Sequence, residues 1–462
     1  MPFLGTTGGG SVKQYGGLAN LGYFIKNSLR FRTSGSTYLN RTFGTATSRT
    51  TWTKSFWVKR GTIGVSQQMF ASRPTATPYS LIYFGTDNKF EYDEGSLYFS
   101  TSQLFRDPAA WYHIVIAVDT TQATNTNRFK VYINGSQITA FGTTTYPSQN
   151  YNTQYNSATN HTVGKGGDYT NEYLDAYLTE INFVDGQALT PSSFGKTDAA
   201  TGQWIPKKFA GTYGTNGFYL KFADASAATA AAIGKDSSGN GNNWTPNNIS
   251  VTAGVTYDAM IDSPSLSGAA SNYCTLNPLK KGTTYIPTIS NGNLTYTAEY
   301  NAQNPASSTI GVSTGSWYYE ATITNKGYVP GVGVHDPSNN FGTGDNWRSY
   351  INGIILYSEG TLQPGGTSTG YTFAAGDVMG IAFDASSGKV WIAKNNTWFN
   401  SGNPAAGTGQ VGTATGYSAL APVLDGTNVG GNKDTINVNF GQRAFTYTPP
   451  TGFKSLNTFN LP

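Results

Sequence analysis

Residues 315–334 read GSWYYEATITNKGYVPGVGV. Trp317, Tyr319, Ala321 and Ile323 fall on one side of a period of two, with Tyr318, Glu320, Thr322 and Thr324 on the other. That alternation predicts a half-buried β-strand, Trp317 and Tyr319 facing inward. The Gly-Val-Gly-Val that follows predicts a neighbouring strand in close approach, because alternate glycines leave room for another backbone.

The same pattern recurs on either side. TWTKSFWVKR (51–60) places Trp52 and Phe56 on one face, and FYLKFAD (218–224) is a further short strand. No window keeps a helical period. The Ala-rich run ASAATAAAIG (225–234) is too short, and too poor in large side chains, to bury an apolar stripe. The chain is therefore expected to be all-β.

Length and composition set the scale. With 462 residues the chain can bury two full cores. Charged residues make up 12%, about half the usual share, and abundant Gly, Tyr and Phe fit aromatic strands joined by turns. Residues 1–27 are glycine-rich and unpatterned, and are expected to be an attachment arm. Strands recur over 28–250, and the small, polar, proline-interrupted 251–270 is expected to be a linker. A second strand-rich block and short tail fill 271–462.

Several function classes are disfavoured. The formal charge is +4 with Lys and Arg scattered, so no basic stripe points to nucleic acid. No run of about 18 apolar residues is present to insert in a membrane. The start, MPFLGTTGGGSVKQYGG, has neither a basic n-region nor an apolar h-region and does not read as a secretory leader. Cys274 stands alone, so no disulfide or zinc-ribbon framework exists, and a small buried hydrophobe is the expectation.

Three segments in the first block resemble a laminin-G-like or pentraxin-like jelly roll of the concanavalin A type. They are TWTKSFWVKR, WYHIVIAVDTTQATNTNRFKVYINGSQIT (111–139) and YLDAYLTEINFVDGQALTPSSF (173–194). Trp111 to His113, Tyr132 to Gly135, and Ala188-Leu189 carry that resemblance. The second block resembles a SPRY domain, on GSWYYEATIT, PGVGVHD, GDVMGIAFDASSGKVWIAKNNTWF (376–399), YSALAPVLDG and INVNFGQRAFTYTPPTGF. Two tandem β-sandwiches are thus expected. The tandem also resembles fibre and adhesin proteins of bacteriophages, especially marine tailed phages.

That last resemblance implies a virion protein, made in the host cytoplasm and displayed on the particle. Its arm would bind other virion proteins, and a homo-oligomer, a trimer in most fibres, would bind host-surface glycan. The competing expectations are a capsid or tail decoration protein that binds only virion proteins, a polysaccharide-degrading spike, and a secreted lectin.

A sugar site needs aromatic faces beside amide and carboxylate groups. Three stretches have that mixture: residues 146–161 with Tyr151 and Tyr155, 335–350 with His335, Asp336, Asp345, Trp347 and Arg348, and 394–400 with Trp398. The SPRY resemblance implies partner-binding loops over the second of these. A weak calcium site is a further expectation, from Asp236, Asn240 and Asn242 in KDSSGNGNNW with Asp224 from the preceding strand. Hairpin turns account for the same residues.

Catalysis is not expected. EYDEGS (91–96) begins like the paired-carboxylate strand of a retaining glycosidase but sets Gly95 and Ser96 where the second Glu belongs. Glu94 falls on the opposite face from Glu91. His113 reads as structural. GVGVHD and GKGGDY lack the Lys-Ser/Thr ending of a phosphate loop.

Overall fold

The structure is a computed structural model and describes residues 23–341 and 351–462. Among these residues the regular structure is strands and a few single-turn 3-10 segments, with no α-helix. No described helix is long and apolar enough to cross a membrane.

Alternation builds the first sandwich. One eight-stranded sheet has Thr51–Arg60 near its centre, between Trp111–Asp119 and Ala176–Asp185, and the facing eight-stranded sheet carries Ser80–Phe84, Lys89–Asp93 and Tyr98–Leu104 in hairpin order. Trp52, Phe56 and Val58 point inward to meet Phe70, Ile82, Phe84 and Tyr92 of the other sheet. This is the aligned packing of two antiparallel sheets, in the arrangement of a concanavalin A-like jelly roll. The Asn-Gly hairpin appears where expected: Asn134 (φ 47°) and Gly135 (φ 84°) both adopt left-handed conformations between Phe129–Ile133 and Ser136–Gln137.

The second sandwich is built around the opening stretch. Ser316–Asn325 lies between Thr435–Asn439 and Val378–Asp384 in a nine-stranded sheet, and Gly331–His335 lies between Ala421–Asp425 and Ile354–Tyr357 in the facing seven-stranded sheet. Trp317, Tyr319, Ala321 and Ile323 meet Val332, Val334 and Leu356 in one core. The Tyr319 hydroxyl crosses between the sheets to the Gly333 carbonyl oxygen, 2.6 Å away. A Cβ on Gly333 would stand 2.0 Å from the Ile354 carbonyl oxygen, which is the close approach that the glycine permits. The other face of the strand is covered too. Tyr318 packs with Trp391, Phe445 and Phe453, and the Glu320 carboxylate accepts the Thr446 and Tyr447 amides, each at 2.8 Å.

Two boundaries differ from expectation. Residues 251–270 are not a free linker, because Ala259–Met260 pairs with Ser28–Phe31 as the last strand of a first-sandwich sheet. Asp258 is buried against Arg30 and Arg32, and Asp262 against Lys59. Small polar residues lowered the apparent apolar content of the segment, while its two carboxylates answer three buried cations. Residues 23–27 are not a free arm either. Ile25 is buried, its amide donates to the Ser265 hydroxyl at 2.7 Å, and the Asn27 carbonyl accepts from Thr179 at 2.6 Å. Trp57, Trp111, Tyr177 and Met260 join the core of the second sandwich, so the two blocks meet through one apolar seam. Cys274 is buried and unpaired within that seam.

Candidate functional site

At one end of the first sandwich, the turns after Lys89–Asp93 and before Ser80–Phe84 meet the 151–154 loop around an open cleft of about 480 Å3. Arg49, Tyr79, Glu94, Tyr151, Asn152 and Gln154 line it. Strand ends supply these residues because a sandwich holds its loops rigidly at its rims.

Arg49 is fixed by its Nε, which donates to the Thr153 carbonyl at 2.8 Å. Its terminal nitrogens have no ion-pair partner among the described residues. Tyr79 donates its hydroxyl to Asp93 at 3.2 Å, and Tyr151 is half-buried, with its backbone carbonyl tied to the Thr120 hydroxyl. Glu94 turns inward: Oε2 accepts the Tyr92 hydroxyl at 2.8 Å, while Oε1 has no close hydrogen-bond partner. Burial pushes its carboxyl up to about 8, against the opposing pull of the Tyr92 hydroxyl and of Arg49. Near neutral pH the group is therefore mostly a neutral acid. Glu91 lies on the outward face, accepting Tyr98 at 2.9 Å and Ser100 at 3.2 Å. The two glutamates are thus separated by the sheet.

The expected site residues do not converge. Among the described ones, Tyr151 alone lines the cleft. Tyr155 is a core residue, fully buried against Trp52 and Phe183 with ring centroids at 5.3 and 5.4 Å. His335 is buried, stacked on Phe341 and hydrogen-bonded to Ser307 at 2.8 Å; burial holds its imidazole down to about 3. Asp336 accepts the Ser418 and Ser338 amides at 2.7 and 2.8 Å. Burial would raise its carboxyl, but those bonds outweigh it and hold it low. Both residues pin a loop rather than face a ligand. Trp398 is half-buried beside Tyr318 and Trp391, on the outer face of the nine-stranded sheet, whereas His335 belongs to the facing seven-stranded sheet. Asp345, Trp347 and Arg348 lie outside the described residues.

The calcium residues do not fit a cation. Asp236 spends both oxygens on donors: Oδ1 accepts the Tyr219 and Ser238 amides, and Oδ2 accepts the Asn242 amide and the Ser238 hydroxyl, all at 2.7–2.9 Å. Asn240 and Asn242 aim their amide N–H groups at the Gly214, Thr215 and Gly217 carbonyls. Asp224 is exposed and caps Ser226. Among the described residues no three His, Cys, Asp or Glu gather as a metal site.

Sequence reasoning missed Arg49, Tyr79 and the role of Glu94. Arg49 stands in a short polar turn and Tyr79 follows a proline, so neither belongs to a motif; contact across 45 residues of chain (Arg49 to Glu94) joins them. The period of two set Glu94 on the opposite face from Glu91, but not which of the two faces is buried. A second buried carboxyl, Glu180, sits at a bulge with φ 51° and accepts the Tyr23 and Tyr219 hydroxyls. Burial raises it to about 7, but both oxygens are engaged inside the fold.

Residues 32–193 match the model of the concanavalin A-like lectin/glucanases superfamily, laminin G type. No curated protein matches the chain. Among solved structures, the SPRY domain of human HERC1 is 18% identical with a TM-score of 0.28, covering 35% of this chain and 96% of that one. A putative carbohydrate binding protein from Bacteroides ovatus is 13% identical with a TM-score of 0.32, covering 49% and 59%. A native heptameric SAP-like pentraxin from Limulus polyphemus is 16% identical with a TM-score of 0.27, covering 36% and 78%.

Proposed function

We propose that this protein is a non-catalytic glycan-binding protein, and that it serves as a fibre or surface adhesin of a bacteriophage particle, gripping host-surface glycan. The observation that carries the first part is the cleft. It sets two tyrosine rings beside a guanidinium, two amide side chains and one carboxyl group, the mixture a pyranose needs for its apolar face and its hydroxyls. Hydrolysis of a glycosidic bond by the usual route needs two carboxyl groups. Glu94 is the one carboxyl group among the described residues lining the cleft, which supports binding rather than cleavage.

The particle assignment rests on the tandem arrangement of sandwiches and its resemblance to phage adhesins. Single-site binding to sugar is weak, and display of a homo-oligomer, for which a trimer is our proposal, would raise avidity by orders of magnitude. The glycine-rich amino-terminal segment would join the protein to other virion proteins. The test is binding of labelled full-length protein to cells of candidate hosts, with and without periodate oxidation of their surface. Saturable binding lost on periodate treatment and in Tyr151→Ala supports the reading; binding indifferent to both defeats it.

One observation favours a second reading, a decoration protein that binds virion proteins alone. Leu279 on the edge strand Leu276–Lys281 is 59% exposed, and Ile286 and Tyr300 are exposed as well. Under this reading Leu279→Asp abolishes binding to purified particles, and periodate has no effect.

A further inference from the structure

The cleft continues past Tyr79. The Arg73 guanidinium carbon lies 5.1 Å from the Tyr79 ring centroid and 4.9 Å from that of Tyr169, so the cation is held between two aromatic faces. Tyr169 is 58% exposed, which leaves its far side open to a ligand. Tyr169, Arg73 and Tyr79 therefore lead into the cleft of Arg49 and Tyr151, a track longer than one sugar ring.

Charge along this track is unbalanced. Neither Arg49 nor Arg73 has an ion-pair partner among the described residues. The carboxylates nearby are occupied: Asp168 accepts the Asn160 amide on both oxygens at 2.8 and 3.0 Å, and Asp93 accepts the Tyr79 hydroxyl and the Gly95 amide. Glu94 is buried on the Tyr92 hydroxyl. Two stacked or braced guanidinium groups with free donors are suited to a planar carboxylate, which they can grip through paired N–H···O bonds.

We propose that the track takes an acidic oligosaccharide of the polyuronate class, with sugar carboxylates on Arg49 and Arg73 and ring faces on Tyr79 and Tyr169. The proposal rests on the glycan-binding reading and narrows it to a chemical class. Neutral sugars of the same length lack the group that the two arginines address. A charge-assisted hydrogen bond contributes about 1.5–3 kcal/mol, on the order of tenfold to a hundredfold in affinity.

The experiment is calorimetric titration of the full chain with tetragalacturonate and, separately, with the neutral cellotetraose, in low salt. Tetragalacturonate is expected to bind at least about tenfold tighter. Arg49→Met and Arg73→Met should each remove most of that preference, read as the ratio of the two affinities. Arg73 is a rim residue outside the core, so it keeps the test usable should Arg49→Met fold poorly. Equal affinity for the two tetramers overturns the acidic-sugar proposal and leaves the glycan reading standing. Binding to neither, together with a silent glycan array, overturns both. A preference that survives both arginine substitutions places the acid site elsewhere and defeats the assignment made here.

Discussion

The Lys59 ammonium and the Asp262 carboxylate, both fully buried, meet at 2.8 Å between the outer face of the first sandwich and the segment leading into the second. Lys59 also donates to Asn272 and to the Tyr273 carbonyl at 2.8 and 2.7 Å, and Trp111 donates to the same aspartate at 3.1 Å. A buried charge is tolerable when its partners are complete. Asp262→Ala leaves the buried Lys59 charge without a counter-ion, held only by the neutral Asn272 and Tyr273 oxygens, and a loss of about 3–5 kcal/mol is expected. Urea denaturation followed by fluorescence should show it. The same experiment should show both sandwiches unfolding in one transition, and two resolved transitions in the wild type would contradict the seam as described.

Lys54 presents the opposite case. Its ammonium sits in the core, 3.9 Å from the Phe70 ring and 4.6 Å from that of Tyr155, with no hydrogen-bond acceptor. Cation–π contact compensates part of the desolvation, but burial still drives its pKa well below the ordinary value. Lys54→Met should stabilise the protein by at least about 1 kcal/mol at pH 7. Since the folded lysine holds its proton more weakly than the unfolded one, this advantage should shrink as the pH approaches 10.5. A Met variant less stable than wild type at pH 7 would show that the aromatic cage outweighs desolvation.

Acid should destabilise the fold through three histidines. Burial holds His113, His161 and His335 each down to about 3, against about 6.5 in an unfolded chain. The unfolded state therefore binds more protons at these three sites between those values, so their contribution is full above pH 6.5 and falls as pH drops toward 3, while Glu94 and Glu180, held up at about 8 and about 7, act in the opposite sense above about pH 4.5. Thermal melts from pH 5.5 to pH 4 should show the midpoint decline. His161→Gln should flatten part of that slope, and a slope unchanged by the substitution would remove His161 from the account.

Gly333→Ala tests the close approach of the two strands. The added methyl would meet the Ile354 carbonyl oxygen and displace backbone rather than a flexible side chain. Overpacking of this kind costs about 1–3 kcal/mol or more. A melting temperature within a degree of wild type would mean that the seven-stranded sheet yields easily there.

Binding of tetragalacturonate should weaken between pH 7 and pH 9. Over that span Glu94 loses its proton beside Arg49 and competes with the ligand carboxylate. Asp93, Tyr92 and Tyr151 also face Glu94, and burial keeps both tyrosine hydroxyls above their usual range, so they do not ionise in the window. In Glu94→Gln the ratio of affinities at the two pH values should fall to about one. The same decline persisting in that variant would remove Glu94 as its cause.

Local period carried the fold. The alternation at 315–325, the Asn-Gly turn at 134–135 and the glycines at 331 and 333 each state their own structure, because a strand's facing pattern is set within a few residues. The seam was less legible: Asp258 and Asp262 make sense only beside Arg30, Arg32 and Lys59, more than 200 positions earlier. For the site, polarity and aromaticity do not distinguish rim from core. Tyr151 and Tyr155 sit four residues apart in one polar loop, yet the first lines the cleft and the second fills the core.

The pairing of Ala259–Met260 with Ser28–Phe31 also sets a clock. Translation adds about 5–20 residues per second, so on the order of ten to fifty seconds separate the emergence of the first strand from that of its neighbour. Until then Arg30, Arg32 and Lys59 lack the carboxylates that make their burial tolerable, and a nascent chain released before residue 258 would carry three cations with nowhere dry to go. The first sandwich is thus completed only as the second begins to leave the ribosome.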